Sequence, residues 1–257
     1  MEDCLSSTKI IFESPSIEMQ RSKLGTAYWN MGPMLQGLLM ESAPKDLCEY
    51  LHSCPFNPYS QYCAIEDGKL IWTLNSLTSA IDDALFVPVI RSENLLLKKF
   101  NFGLKFADIS KTFISRKNLA SLIHDGDGSI FSLNFITPCA FRSGGAYQNI
   151  PNMHLVYQNL LMHYSQVYEA SSESDPETVQ YLSDHTRIAK YNLHSSYFNI
   201  AGKSIPAFCG KITVEVSGSG PTVGLARMLL NFATYSGVGI KTSMGMGGMV
   251  VKCMNKK

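Results

Sequence analysis

"YCAIEDGKLIWTLNS", residues 62–76, sets two apolar arms around Asp67-Gly68. That dipeptide suits a two-residue hairpin, because both of its positions accept the left-handed backbone that such a turn needs. A tight antiparallel pair fixes one part of a sheet, and its neighbours decide which sheet. Upstream, "STKIIFE" (7–13) reads as a strand and the stretch around Pro15 as a loop. From Asn30 the pattern turns helical. Pro33 sits in a first turn, where its missing N–H is harmless, and Met34, Leu35, Leu38 and Leu39 share a face. Pro44 opens a second short helix, "PKDLCEYLH", and Pro55 stops it, leaving His52 in the last turn. Downstream, "TSAIDDALFVPVI" looks like a helix cut short by Pro88, and "NLLLKKFNFGLKFADIS" like one or two strands. The order is β-α-β-β-α-β, the ferredoxin-like pattern.

The second half repeats that order. "SIFSLNFITPCAF" is a strand, "NMHLVYQNLLMHYSQVYEA" a helix, and "SSESDPE" a solvated loop. Two strands follow, "KYNLHSSYFNI" and "GKITVEV", then a helix opened by Pro221 and a last strand, "GGMVVK". "HDGDGS" (124–129) is the linker, so the expected domains are 1–125 and 126–257. The expected class is α+β, two tandem ferredoxin-like domains ending in a glycine-rich loop.

Composition narrows the function. A hydrophobic content of 45% with 17% charge provides a full globular core, and the net charge of +1 sets up no global field for a polyanion. Any nucleic-acid surface must then be a local patch. No apolar run reaches the roughly 18 residues of a membrane span, and "MEDCLSSTK" does not read as a signal peptide. Seven scattered cysteines without a CxxC suit reduced thiols in a cytoplasm. His52 with Cys48, Cys54 and Cys63 fits no common zinc spacing. Neither a metal nor a cofactor is expected.

The tail "SGVGIKTSMGMGGMVV" (236–251) places five glycines between Gly237 and Gly248, around Lys241. It is not a phosphate-binding P-loop, since Tyr235 and Ile240 stand where glycines belong and the loop follows a helix and precedes a strand. Two readings stand on residues alone. One is a helix C-cap at Gly237 plus a bulged turn, which explains two or three glycines. The other is close backbone approach to a polyanion, with Lys241 alongside.

Helix, glycine loop and chain end together resemble the RAMP proteins of CRISPR systems. More narrowly, they resemble the sixth Cas family, the endoribonuclease that cuts repeat RNA into guide RNAs. "LQGLLMESAPKDLCEYLHSCPFNPYSQY" (35–62) is similar to that family's first helical region, and "TPCAFRSGGAYQNIPNMHLVYQNLL" (137–161) to the opening of its second domain. The resemblance implies RNA lying across both domains and metal-independent scission by a ribose 2′-oxygen, which leaves 2′,3′-cyclic phosphate and 5′-hydroxyl ends. It implies CRISPR repeat RNA as the partner, with other Cas proteins of an effector complex and a second copy of the chain as further partners, and no membrane.

His52 falls on the family's catalytic histidine. Independently, the negative end of its helix favours imidazolium, although a C-cap histidine bonding terminal carbonyls is the bland alternative. The remaining set departs from the family pattern: Met40 stands where some members carry tyrosine, and Pro55 or a gap where they place lysine. Tyr50, Tyr59 and Lys241 are the positional substitutes. Arg142 and Ser143, with Gly237, Gly239, Lys241, Thr242, Gly245 and Gly247, are the expected RNA contacts. Basic residues among aromatics (Lys98, Lys99, Lys105, Arg116, Lys117 near Phe100, Phe102 and Phe106) offer stacking and phosphate contacts, or else core and solvated faces. His194 reads as a core histidine or backup acid. His124, His154 and His163 read as structural. The departures also leave open a non-cleaving RNA-binding subunit of an effector complex.

Overall fold

The computed structural model describes residues 4–13, 28–92, 94–97, 102–124, 128–169, 171 and 173–254. Lys98, Lys99 and Phe100, the Pro15 stretch and the middle of the 124–129 linker lie outside the described residues.

The first half runs β1 (Cys4–Phe12), a 3₁₀ turn (Tyr28–Met31), α1 (Gly32–Ser42), α2 (Lys45–Ser53), β2 (Tyr59–Glu66) and β3 (Lys69–Ser76). Next come α3, in three segments (Ser79–Ile81, Asp82–Phe86, Val87–Ile90), then β4 (Asn94–Leu97), β5 (Phe102–Ser115) and α4 (Arg116–Ser121). Its sheet order is β2-β3-β1-β5-β4. Without the added edge strand β4, that is the ferredoxin-like order, with the first strand flanked by the third and the last. The 62–76 hairpin forms as read, with Asp67 and Gly68 at φ 50 and 75.

The second half runs β6 (Ile130–Cys139), β7 (Phe141–Ser143), β8 (Ala146–Gln148), α5 (Met153–Tyr168), α6 (Pro176–Asp184), β9 (Thr186–Ile200), β10 (Lys203–Val216), α7 (Gly220–Ser236) and β11 (Met249–Met254). Its sheet order, β11-β6-β10-β9, repeats the arrangement. β7 and β8 form a separate small hairpin.

Two local readings need correction. Pro88 does not end its helix. The turn widens to π geometry over Asp82–Phe86, Val87 donating to the Asp82 carbonyl five residues back, and the helix continues to Ile90. The wider turn makes room for a ring that would otherwise meet a carbonyl one turn earlier. "SSESDPE" is not all loop either. Asp175 caps α6, its carboxylate accepting from the Glu177 and Thr178 amides at 3.2 and 3.3 Å, with Pro176 in the first turn.

Each half has its own apolar core. Ile10, Leu35, Leu39, Leu51, Trp72 and Phe86 anchor the first, and Phe131, Leu133, Tyr157, Leu160, Ile212 and Phe232 the second. The two are joined through α7 and α5. Ser60 donates to the Tyr235 carbonyl at 2.7 Å, Asn75 to the Thr234 carbonyl at 3.2 Å, and the Tyr168 hydroxyl to the Leu77 carbonyl at 2.8 Å. This contact brings the end of α7, and the glycine loop after it, beside α1 and β2.

Candidate RNA-binding and cleavage site

Gly237 caps α7 as expected, at φ 65, with its N–H on the Ala233 carbonyl. Beyond the cap, the glycine loop is not an open hook. It is knitted into the end of β6: Val238 donates to Gly247, Gly247 to Pro138, Ile240 to Ala140, and Gly248 to the Thr137 hydroxyl at 2.9 Å. Gly239 donates to Asn159 Oδ1 at 2.8 Å. Val238, Met246 and Met249 are fully buried.

Packing accounts for all five glycines. An added Cβ at Gly247 would overlap the Val238 carbonyl oxygen, and one at Gly239 the Ala140 oxygen. At Gly248 it would lie 2.6 Å from the Tyr62 ring, and at Gly237 2.9 Å from the Thr242 methyl. At Gly245 it would press on Gly32 Cα at 3.1 Å, where α1 begins. The expectation that main-chain amides of Gly237, Gly239, Gly245 and Gly247 face phosphate is therefore corrected. Gly237, Gly239 and Gly247 donate inside the fold, Gly245 N points back to the Thr242 carbonyl at 3.4 Å, and all four residues are buried.

What the buried loop does present is Lys241. It takes the left-handed conformation (φ 56, ψ 36), unusual for a residue with a side chain, and its carbonyl accepts from the Met244 and Met246 amides at 2.9 and 3.2 Å. Those bonds hold the backbone while the side chain stays exposed. A buried hub fixes the short turn beyond it. Gln61, fully buried, donates from Nε2 to the Gly32 and Ser243 carbonyls, each at 2.9 Å, and accepts from Trp72 Nε1 at 2.6 Å. Nothing in the alternation of β2 marks Gln61 as more than another strand residue, so reading the sequence missed it.

Lys241 and Arg142, 99 positions apart, line one cleft of roughly 520 Å³. Thr242, Ser243 and Met244 also line it, with Leu155, Asn159 and His163 from α5 and with Pro55, Phe56 and Asn57. Arg142 and Ser143 are both exposed at the start of the β7–β8 hairpin, with Gly144-Gly145 at its tip, but only Arg142 lines the cleft.

His52 lies exposed in the last turn of α2, on the side away from buried Leu51. Pro55 is the third residue after it, and a chain advances at most about 3.6 Å per residue, so their Cα atoms are no more than about 11 Å apart. Residues 55–57 of the lining therefore follow closely on the histidine's helix, although His52 itself is not among the residues that line the cleft.

The tyrosine substitutes fare differently. Tyr59 is 1% exposed and packs edge-on against Phe86, and burial pushes its hydroxyl up to about 12. It is withdrawn as a proton-transfer group. Tyr50 is half exposed, but it faces a second, apolar groove of about 330 Å³ with Leu47, Pro58 and Val167, and its hydroxyl is raised by a hydrogen bond to Cys54 and by burial. Met40 packs against the first core.

Two of the other candidates have structural partners. Arg116 stacks over Tyr168, 4.6 Å from the ring centre, and Phe106 packs on Phe12 at 5.8 Å. His194 is exposed, not a core residue, because it lies on the edge strand β9. Among the described residues no three His, Cys, Asp or Glu side chains form a group able to hold a metal ion.

Residues 133–249 match the family described as CRISPR-associated endoribonuclease Cas6. A CRISPR-associated endoribonuclease Cas6 of Streptococcus thermophilus is 34% identical over 217 residues, spanning 83% of this chain and 88% of its own. One of Mycobacterium tuberculosis is 30% identical over 247 residues, spanning 91% and 74%. Among solved structures, a Cas6 product complex superposes with a TM-score of 0.74 at 14% identity, covering 97% of this chain and 99% of that one. Thermus thermophilus Cas6 superposes with a TM-score of 0.65 at 20% identity, covering 98% of each chain.

Proposed function

This chain belongs to the Cas6 family of CRISPR-associated endoribonucleases, and from that premise we propose that it binds CRISPR repeat RNA along the Lys241–Arg142 cleft and cuts it with His52. The observation that carries the reading is the meeting of those two distant cations on a cleft whose lining includes Pro55, three residues after an exposed histidine.

The chemistry follows from what each group can do. The ribose 2′-oxygen attacks the adjacent phosphorus, forming O2′–P as P–O5′ breaks. The 2′-hydroxyl proton leaves with a base, and the departing O5′ takes a proton from an acid, giving 2′,3′-cyclic phosphate and 5′-hydroxyl ends. His52 is assigned the proton transfer, a role for which an imidazole is the usual side chain. Lys241 and Arg142 supply the positive charge that the crowded phosphorane needs, in place of the family's lysine, where this chain has Pro55 or a gap. With the family's tyrosine and lysine positions altered, alignment of the 2′-oxygen falls largely on how the RNA is held.

The same proposal divides the chain at 125/126, each side carrying one ferredoxin-like sheet, and places the protein in the cytoplasm. All seven cysteines are free thiols, as a reducing compartment keeps them. Among the described residues no helix is long and apolar enough to cross a membrane.

The test is incubation of the purified chain with its own repeat RNA in EDTA. Wild-type protein should yield cyclic-phosphate ends, and His52→Ala should bind equally well and cut at least about a hundredfold more slowly, the scale of general acid–base catalysis. Cutting by His52→Ala at the wild-type rate refutes the assignment. Tight binding without cutting by the wild type points instead to a guide-holding subunit.

A further inference from the structure

Buried His163 contacts the segment that follows the catalytic helix. It is 2% exposed, whereas the other five histidines are exposed or half-buried. Its ring lies 4.3 Å from the ring centre of Phe56, tilted by 57°. Burial lowers the imidazole to about 4, so it is neutral under working conditions and brings no charge into an apolar contact. Its Nδ1 is buried without a hydrogen-bond partner, so that nitrogen does not anchor the ring.

Phe56 is held from other directions as well. One turn along α5 from His163, Gln166 Nε2 donates to the Phe56 carbonyl at 3.3 Å. The next residue, Asn57, donates from Nδ2 to Ser243 Oγ at 3.1 Å, and the Ser243 carbonyl is held by Gln61. The segment 56–57 is thus fastened to the second core and to the turn after Lys241. By contrast, α2 is only nine residues long and seats itself through buried Leu51 and half-buried Leu47.

We propose that Phe56, seated on the His163 ring and fastened by Gln166 and Asn57, is a positioning wedge that sets the distance from His52 to Lys241. The proposal rests on the reading of His52 as the proton-transfer residue. His163, in the second half of the chain, then acts on catalysis only through the first half. A helix end free to drift by about an ångström loses alignment with a 2′-oxygen held at the cleft, and misplacement on that scale costs up to about a hundredfold in rate. RNA affinity, set by Lys241 and Arg142, should barely move.

The test is single-turnover cleavage of repeat RNA at about 25 °C with saturating protein, alongside filter-binding Kd. His163→Ala should slow cleavage roughly tenfold to a hundredfold. His163→Phe, which keeps a ring against Phe56, should recover the rate to within about threefold. Gln166→Leu, farther from the core and expected to fold even where His163→Ala does not, should slow cleavage several-fold with Kd unchanged. Wild-type rates in folded His163→Ala or in Gln166→Leu overturn the wedge, as does a His163→Phe protein as slow as the alanine variant. Loss of cutting in His52→Ala with full cutting in His163→Ala sinks this inference alone, whereas full cutting in His52→Ala sinks the reading beneath it.

Discussion

Lowering the pH should weaken the fold through one side chain. His163 moves from an ordinary value of 6.5 to about 4 because burial penalises its charged form. Between those values the unfolded chain holds a proton that the native chain does not, so stability rises with pH there. The contribution is complete above the unfolded value and drains away as pH falls toward the native one. The full shift corresponds to about 3 kcal/mol, of which about 2 kcal/mol is gone on moving from about pH 7.5 to about pH 5. The comparison is urea unfolding of the wild type and His163→Phe at those two pH values. The variant keeps the ring and loses the titration, so its acid loss should be smaller by about 2 kcal/mol, every other titrating group being common to both proteins. Equal acid losses in the two proteins would refute the assignment of a buried, neutral imidazole at position 163.

Two further outcomes test the glycine loop and the cleft. Gly247→Ala puts a Cβ onto the Val238 oxygen at a positive φ, so it should cost at least about 2 kcal/mol or prevent folding, whereas Gly37→Ala, on an open helix face with nothing within 4 Å, should stabilise by about 0.5–1 kcal/mol. Thermal melts of both variants decide it, and a tolerated Gly247→Ala would mean the loop is less tightly packed than described. Arg142→Ala and Lys241→Ala should each weaken repeat-RNA binding several-fold and each lower the slope of log affinity against log salt by about 0.7, the share of one phosphate contact on a single strand. An unchanged slope in either variant removes that residue from the phosphate path.

Local signals in the sequence set most of the elements and their order. Asp67-Gly68 can hardly be anything but a turn, Pro44 and Pro55 bracket a helix whatever surrounds it, and the apolar alternation of "GKITVEV" marks a strand, since these signals act over a few residues. His52 at a helix end was legible for the same reason. Composition could not tell that the tail glycines answer to steric contact with residues up to 213 positions away, Gly245 against Gly32. Glycine serves a ligand approaching the backbone and a neighbouring chain approaching it equally well, and only the packed structure says which has come close. Tertiary structure also decided which polar groups matter. Arg142 and Lys241 became one cleft, Tyr59 went into the core, and Gln61 and His163, which no local pattern singles out, became the hub and the wedge. Burial and pairing are properties of a group's surroundings, and those surroundings do not exist until distant segments meet.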